Sequence, residues 1–423
     1  MLGSVSALRL AEAGHAVTLF EAQPTLGGLT SQFSYEGMTW DRFYHVIEHV
    51  DSHLLALLAD LNLSDQIVWR TTKTNFYDGA QIYPLNNAID YMRLPALNFI
   101  DKLRVGLTIL YGSSLSSGQD LENIGLEQWL SKWSGRSGFE NLWLPLLRGK
   151  LGDNYKIASA AFIWSVIQRF YGARSGAKKT ESFGYVQGGY ASILSNLEKR
   201  LDEREVLIRT NQRIGSVTRE SGHLTVESNG ERAQFDKALI TIPSNSIAKI
   251  CPELDPDEKQ SHSDLQYQGV ICVSLLLREP LGGAYLTYIT ERGLPFTTII
   301  EMTTLVDRDQ YQGLHLVYLP KYIPAEHKLF AETDENITAE FICGLQKMFP
   351  AFSADQIVCT EVSRARQVTT IPTLAYSAKI PNISTSIPGL FISNSAQITN
   401  AALSVDESVL LANNTIEFLL RDA

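Results

Sequence analysis

The stretch GSVSALRLAEAGHAVTLFEAQPTLGGLT, residues 3–30, carries the pattern that decides the fold. We predict a helix over residues 3–14, a short strand over residues 16–20, and then Glu21 and the double glycine Gly27-Gly28. In a dinucleotide-binding βαβ unit, a G-x-G-x-x-G turn brings backbone amides to the pyrophosphate, and an acid about 20 residues on binds the ribose. Gly3 fits the last of those glycines and Glu21 fits the acid. The stretch therefore predicts such a unit, whose first strand and first two glycines would precede Met1.

The bulk composition limits the class of protein. The chain has 423 residues, 44% of them hydrophobic, which predicts two interleaved domains rather than one core. The net charge of −10 argues against nucleic acid as the main partner, because phosphate binding needs a basic surface. The four cysteines are scattered, and no run of about 20 apolar residues is present to form a transmembrane segment. We therefore expect a cytoplasmic protein and leave peripheral membrane contact open.

The rest of the sequence alternates between segments with helical periodicity and segments typical of strands. Helices are predicted over 51–63, through most of 94–201, over 334–348 and over 404–421. Strands are predicted within 204–243, at 269–277, 284–290, 296–302 and 313–319, and at 389–392. This order predicts a nucleotide-binding domain that the chain leaves and re-enters.

Two segments carry a resemblance to a known group of proteins. The run LAEAGHAVTLFEAQPTLGGLT (10–30) and the string WDRFYHVI (40–47) resemble the start of the superfamily of amine oxidases, protoporphyrinogen oxidase, phytoene desaturases and UDP-galactopyranose mutase. Three later segments are also similar to that superfamily: FGYVQGGY (183–190), TIP (241–243) and PGLFISN (388–394). The resemblance thus covers most of the chain.

The resemblance implies FAD as the cofactor and an α/β fold with a discontinuous FAD-binding, Rossmann-like domain of the glutathione-reductase type. That domain would comprise residues 1–75, 185–255 and 360–423, with a helical cap at 76–184 and an antiparallel-sheet substrate part at 256–359. The residues expected to contact FAD are Gly3, Glu21, Ala22, Gly27, Gly28, Leu29, Thr30, His45, Ile214, Pro243, Ser393, Asn394, Ser404 and Val405.

The sequence departs from the superfamily pattern at both ends. Ser393-Asn394 stand where many relatives have Gly-Asp, and residues 397–402 lack the Pro and Arg-Gly text of similar proteins. The absence of the first strand and of the G-x-G before Met1 has two explanations, which stay open. Either the start of this sequence lies downstream of the real one, or the chain is a decayed relative that binds FAD poorly.

Other residues could carry chemistry, and each has a structural alternative. His45, His49 and His53 have the i, i+4, i+8 spacing of ligands on one helical face, but nothing nearby completes a site, so we expect polar helix positions and no metal. The catalytic residues are unknown from the sequence, and the candidates are His45, Glu301 and Arg364 (with Arg366) beside a flavin. For Glu301, Arg364 and Arg366 the alternative is a structural ion pair. Lys150 is either a phosphate or carboxylate contact or a solvated lysine.

Taken together, these features predict a flavin-dependent oxidoreductase in which hydride passes from an organic small molecule to FAD. Aromatic residues in the helical insert suit a large apolar substrate, although such residues are often plain core. Two alternatives stay open: a mutase-like isomerase that acts on a nucleotide sugar, and a non-enzymatic remnant of the fold. The isomerase would need a cluster of arginines and tyrosines for the diphosphate.

Overall fold

The computed structural model describes residues 1–172, 182–291, 293–399 and 403–421. Within these residues the helices are α1 (Leu2–Glu12), α2 (Ser52–Asp60), α3 (Ala88–Arg93), α4 (Phe99–Ser114), α5 (Leu126–Gly138), α6 (Leu144–Leu151), α7 (Ala160–Gly172), α8 (Gly189–Glu203), α9 (Ile247–Ile250), α10 (Pro256–Ser263), α11 (Asp334–Met348) and α12 (Val405–Arg421). The strands are β1 (Thr18–Phe20), β2 (Gln32–Tyr35), β3 (Met38–Asp41), β4 (Ile67–Thr71), β5 (Thr74–Tyr77), β6 (Ile82–Pro84), β7 (Ser182–Val186), β8 (Leu207–Arg209), β9 (Ile214–Glu220), β10 (His223–Ser228), β11 (Glu231–Phe235), β12 (Ala238–Ile240), β13 (Tyr267–Leu277), β14 (Leu286–Ile289), β15 (Thr298–Glu301), β16 (His315–Pro324), β17 (Ile357–Thr370) and β18 (Leu390–Ile392).

A seven-stranded sheet, in the order β17-β13-β16-β15-β14-β5-β6, forms the largest β element. Strand β13 is buried along its whole length and pairs antiparallel with β16 and β17. Because side chains alternate along a strand, Val273 and Leu275 face a core shared with α11, whereas Cys272 and Leu276 face a second core that contains Trp40 and Tyr318. The sheet therefore separates α11 from the β3 region.

Helices α4 to α7 form a layer with its own apolar core. Leu130, Leu147 and Ile163 belong to this core, which also includes Phe76 of β5. Strands β5 and β6 belong to the seven-stranded sheet, although helices α3 and α4 follow them in the sequence. No helix in the described parts of the chain is long and apolar enough to cross a membrane.

Outside the seven-stranded sheet, in which β14 and β5 pair parallel, two separate parallel pairs form, β1 with β8 and β12 with β18. The start of α1 lies between them, since a Cβ at Gly3 would be 2.9 Å from Thr241 Oγ1 and 3.8 Å from Leu19 Cδ1. Helix α1 packs on α12, and Arg9 Nε donates to Asn413 Oδ1 at 3.2 Å. The first and last helices of the described chain therefore share one layer.

Candidate functional site

The turn after β1 combines the predicted acid with the double glycine. Glu21 follows β1, and its Oε1 accepts the backbone N–H of Gln23 at 2.8 Å. Gly27 has φ = 121°, and a Cβ there would lie 2.7 Å from Leu194 Cδ1 of α8. Gly28 has φ = 60°, but a Cβ there would meet no atom within 4 Å. Gly27 is therefore needed for the close approach of α8, whereas Gly28 borders open space.

Hydrogen bonds fix the shape of this turn. Thr30 Oγ1 donates to Gly27 O at 2.9 Å, and Ser31 Oγ donates to Gly28 O at 2.7 Å. The predicted contacts Ala22 and Leu29 lie in the same turn and are partly exposed. A preformed turn with positive φ at both glycines presents its backbone, rather than side chains, to the space beside Gly28.

The segment after β3 contains a buried polar group without a protein partner. His45 keeps part of its surface accessible, and its ring lies 4.8 Å from that of Tyr190, centroid to centroid. Among the residues that the structure describes, His45 Nδ1 and the Tyr190 hydroxyl have no hydrogen-bond partner. Burial lowers the pKa of His45 to about 4, so the imidazole is neutral at physiological pH. A polar ligand bound beside His45 would supply the hydrogen-bond partners that these two buried groups lack.

Asp41, at the end of β3, is a buried acid that sequence reasoning did not select. Its Oδ1 accepts the N–H of Tyr190 at 3.1 Å, and its Oδ2 accepts the hydroxyl of Tyr185 at 3.3 Å. Burial raises the pKa of Asp41 to about 7, although these hydrogen bonds oppose the shift. Asp41 thereby ties β3 to the first turn of α8. A lone Asp in the aromatic text of residues 40–44 is the signal that could have drawn attention to it.

Arg169 of α7 joins two distant parts of the chain at the start of α12. It forms ion pairs of 2.8 Å with Glu48 and with Asp51, and its Nη1 donates to Ser404 Oγ at 3.3 Å. Ser404 Oγ also accepts the N–H of Glu407 at 3.2 Å, which caps the first turn of α12. Burial raises the pKa of Asp51 to about 6, and the Arg169 charge opposes that shift. The helix start predicted to face the cofactor is thus anchored to the helical layer.

The predicted contacts at the strand crossings are engaged within the fold. Ser393 Oγ lies 2.8 Å from Thr415 Oγ1, and Asn394 Nδ2 donates to Ile242 O at 2.9 Å. Pro243 lies three residues after the end of β12, and Ile214 begins β9. The structure brings Gly3 and the β12 and β18 exits to one edge. At that edge the side chains of Ser393 and Asn394 form hydrogen bonds within the protein, to Thr415 and Ile242.

Two of the three catalytic candidates lie elsewhere. Glu301 is buried, but its carboxylate accepts the N–H groups of Gly282 at 2.9 Å and Leu281 at 3.2 Å. Its carboxylate therefore stabilises a turn, and it forms no ion pair with any residue that the structure describes. Arg364 forms an ion pair with Asp334 at the start of α11 and donates to Glu332 O at 2.8 Å. Arg364 is thus engaged in an ion pair within the fold.

The histidine spacing does not correspond to a helix. His45 and His49 lie in the irregular segment before α2, and only His53 is helical. The His49 ring stacks on Trp69 at a centroid distance of 3.7 Å. The prediction of one helical face was therefore wrong, because α2 begins only after Asp51. The described residues hold no cluster of three metal-ligating side chains.

A cationic and aromatic group forms around Tyr44, the residue before His45. The hydroxyls of Tyr44 and Tyr322 are 3.0 Å apart, and Lys150 Nζ lies 5.9 Å and 6.0 Å from their ring centroids. Lys150 is exposed and forms no ion pair with any residue described in the structure. On the same helix, Arg148 lies over the Tyr155 ring at 5.7 Å. This group could bind an anion next to an aromatic surface.

Comparisons with known proteins place the chain in a family. The family described as flavin containing amine oxidoreductase matches residues 5–409. A protein named as a flavin-containing monoamine oxidase, AofH, from Mycobacterium tuberculosis is 22% identical over 275 residues. That alignment covers 61% of this chain and 59% of the relative, so the chain spans about three fifths of that protein's length.

Solved structures share the fold over the whole chain. A structure described as a protoporphyrinogen oxidase from an Exiguobacterium species has a TM-score of 0.80 at 17% identity and covers 100% of this chain and 96% of its own. Reduced UDP-galactopyranose mutase has a TM-score of 0.76 at 16% identity and covers 99% and 92%. These similarities confirm the predicted α/β fold class. Together with the family match, which confirms the predicted flavin cofactor and oxidoreductase class, they show that the chain belongs to the flavin containing amine oxidoreductase family.

Proposed function

We propose that the protein is an FAD-dependent oxidoreductase that takes hydride from an organic small molecule. The observation that carries this proposal is the pair of buried polar groups at His45 and Tyr190 that lack protein partners. The glycine turn supports it, since Gly28 borders open space. The open space and the unpartnered groups fit a polar, planar cofactor. FAD, when bound, would accept the hydride from the substrate.

The proposed binding of FAD assigns a role to each end of the site. Glu21 would accept hydrogen bonds from ribose hydroxyls, while the start of α1 at Gly3 would face the pyrophosphate. Backbone groups of the glycine turn would line the middle of the cofactor. The remaining contacts are proposed through Ala22, Leu29, Thr30, Ile214, Pro243, Ser393 and Asn394.

His45 and the start of α12 would both lie beside the flavin ring. His45 is neutral and would offer a hydrogen bond without adding charge. Ser404 and Val405 begin α12, whose N-terminal dipole end favours negative charge on a nearby ring. We also retain the domain division at 1–75, 185–255 and 360–423, with the cap at 76–184 and the sheet part at 256–359, as a proposal.

On the substrate side, we propose a molecule with an apolar body and an anionic group. Lys150 supplies an unpaired cation, and the hydroxyls of Tyr44 and Tyr322 supply hydrogen bonds close to it. The adjoining helical layer is rich in buried aromatic and aliphatic side chains, which suits an apolar body. We propose the cytoplasm as the compartment, because all four cysteines are free thiols.

A matched pair of glycine variants tests the flavin site. Gly28→Ala and Gly37→Ala each place a Cβ at a positive φ with no atom within 4 Å, so both carry similar backbone strain. We expect the purified wild type to show the flavin absorption bands. Gly28→Ala should bind FAD at least about tenfold more weakly, whereas Gly37→Ala should bind it as the wild type does. A chain that stays colourless with added FAD, or equal affinity in both variants, contradicts the proposal.

A flavin-dependent isomerase is the second candidate, and one observation favours it. Helix α6 carries two cation–aromatic pairs, Arg148 over Tyr155 and Lys150 over Tyr322, which a nucleotide-sugar diphosphate could contact. The two candidates differ in electron balance. An oxidoreductase consumes one equivalent of electron acceptor per turnover, while an isomerase requires reduced flavin and consumes none. Stopped-flow reduction of the bound flavin by substrate distinguishes them.

A further inference from the structure

Helices α3 and α4 present an apolar surface to solvent. The large apolar side chains on it are between 37% and 68% exposed, and Phe99, Ile100 and Leu107 exceed 60%. The α3–α4 apolar surface comprises Ile89 and Met92 of α3, Phe99, Ile100, Leu103, Leu107, Leu110 and Tyr111 of α4, and Trp133 of α5. A monomer usually exposes such residues singly, so a contiguous group indicates an interaction site.

Helical spacing explains why these residues share one face. Phe99, Leu103, Leu107 and Leu110 follow one another at three- and four-residue intervals. The opposite side of α4, with Val105 fully buried, already packs on α5 and α7. The helix is therefore apolar on both sides, and its inner side alone accounts for its packing in the fold.

The exposed charges around the α3–α4 apolar surface are basic. Arg93 ends α3 and is exposed, and Arg104 of α4 is exposed as well. Arg104 donates to the carbonyls of Lys132 and Trp133 at 3.2 Å and 3.3 Å, and Lys132 Nζ lies 5.8 Å from the Trp133 ring. The whole chain, in contrast, has a net charge of −10.

The acids of these helices do not offset that local charge. Asp101 of α4 is buried and accepts the Ser137 hydroxyl at 2.6 Å, on the inner side of the helix. Asp90 of α3 accepts the N–H of Asn86 at 3.0 Å, which stabilises the turn before the helix. The exposed face of α4 thus offers large apolar groups with a guanidinium among them and no carboxylate. Two copies of this face would bring like charges together, which disfavours self-association.

Aromatic rings occupy the edge of the surface. Tyr111 and Trp133 lie 4.3 Å apart between ring centroids, and both are just over one third exposed. Rings with one polar atom suit a boundary between water and hydrocarbon, and lysine or arginine stems beside them can extend their charges to the polar side. An amphipathic helix with a basic rim is the form that binds the surface of an anionic bilayer.

We propose that the α3–α4 apolar surface docks the protein on a membrane that contains anionic lipids. The side chains from Phe99 to Leu110 enter the boundary between headgroups and acyl chains. Arg93, Arg104 and Lys132 contact the lipid phosphates. The contact is peripheral and reversible, and it does not depend on the proposed redox function.

Vesicle flotation of the FAD-loaded protein tests this proposal. Vesicles of pure phosphatidylcholine are compared with vesicles that contain phosphatidylglycerol, at low and high salt. We expect binding to the anionic vesicles that weakens with salt and with Arg104→Gln. The double variant Leu103→Glu/Leu107→Glu should lower the bound fraction at least about tenfold, because carboxylates are costly at the acyl boundary.

Leu420→Glu is the matched control, since Leu420 is 41% exposed near the end of α12 and away from the surface. It should float as the wild type does, and both variants should keep the wild-type flavin content and melting temperature. The proposal is overturned if the wild type stays unbound on both vesicle types or if the double variant floats normally. It is also overturned if sedimentation shows a dimer that the double variant abolishes while no vesicle binds.

Discussion

Replacement of Asp41 by asparagine removes the titration of a buried acid while it keeps an acceptor atom in place. The amide oxygen of the new side chain would still accept the N–H of Tyr190, and its NH₂ group could donate to the Tyr185 hydroxyl. In the wild type, burial raises the pKa of Asp41 from 3.8 to about 7. The folded chain therefore holds a proton over a pH range in which the unfolded chain has released it.

The sign of the effect follows from this difference in proton binding. Because the folded-state pKa is above the unfolded value, the protonated carboxyl stabilises the fold at low pH, and that stability is lost as the pH rises through about 7. Between about pH 8 and about pH 5, the linkage amounts to about 2.5 kcal/mol, at about 1.4 kcal/mol per pH unit over nearly two units.

Other groups make the absolute pH profile uninformative, so the difference between the two proteins is the quantity to measure. Asp51, with its pKa raised to about 6, acts in the same direction as Asp41. His45 and His262 act in the opposite direction, because their pKa values are lowered from 6.5 to about 4. The fold therefore loses stability at these two groups as the pH falls below 6.5. These three groups are present in both proteins, and their effects cancel in the difference.

The assay is urea unfolding of the wild type and of Asp41→Asn in flavin-saturated buffer at several pH values. We expect the free energy of unfolding of the wild type to gain about 2.5 kcal/mol relative to the variant between about pH 8 and about pH 5. Parallel pH profiles for the two proteins would refute the assignment of a raised pKa to Asp41. A steady loss of wild-type stability relative to the variant towards low pH would refute its sign.

Two further variants test contacts of the site by urea unfolding. Arg169→Gln leaves the carboxylate of Asp51 buried without its cation, so we expect the free energy of unfolding to fall by about 2–3 kcal/mol at neutral pH. This loss should shrink below about pH 5.5, where Asp51 is protonated. A loss that does not change with pH would contradict this role of Arg169. Gly189→Ala would drive a Cβ into the Tyr185 hydroxyl, so it should cost about 3 kcal/mol or more. Gly230→Ala has a similar positive φ but open space around it, so it should lower the free energy of unfolding by only about 1 kcal/mol. Equal losses in the two variants would show that backbone strain, and not the clash with Tyr185, determines the effect.

The elements best predicted from the sequence are those with local signals. Helix α11 begins and ends where its apolar period indicates, because Thr333 caps it by accepting the N–H of Asn336. The glycine turn was also predictable, since positive φ at Gly27 and Gly28 is a local backbone requirement.

Contacts between distant segments could not be predicted in the same way. Arg169 lies more than one hundred residues from its partners Glu48 and Asp51, and nothing in the local text of α7 identifies that pairing. Likewise, Glu301 resembled a catalytic acid because a strand ends on it, yet its carboxylate binds a neighbouring turn. A single sequence records which groups are polar, but the partner of each buried polar group depends on the tertiary fold.

The packing of α1 on α12 has a consequence for synthesis in the cell. Arg9 reaches Asn413, so the layer that contains α1 is complete only after nearly the whole chain has left the ribosome. Until then, the apolar side of α1, with Val5 and Leu8, lacks part of its cover. Contacts between residues so far apart in the sequence slow folding, and they prolong the exposure of hydrophobic, aggregation-prone surface. We therefore expect the sheet and the helical layer to fold during translation, while the α1 layer assembles last and depends most on chaperones.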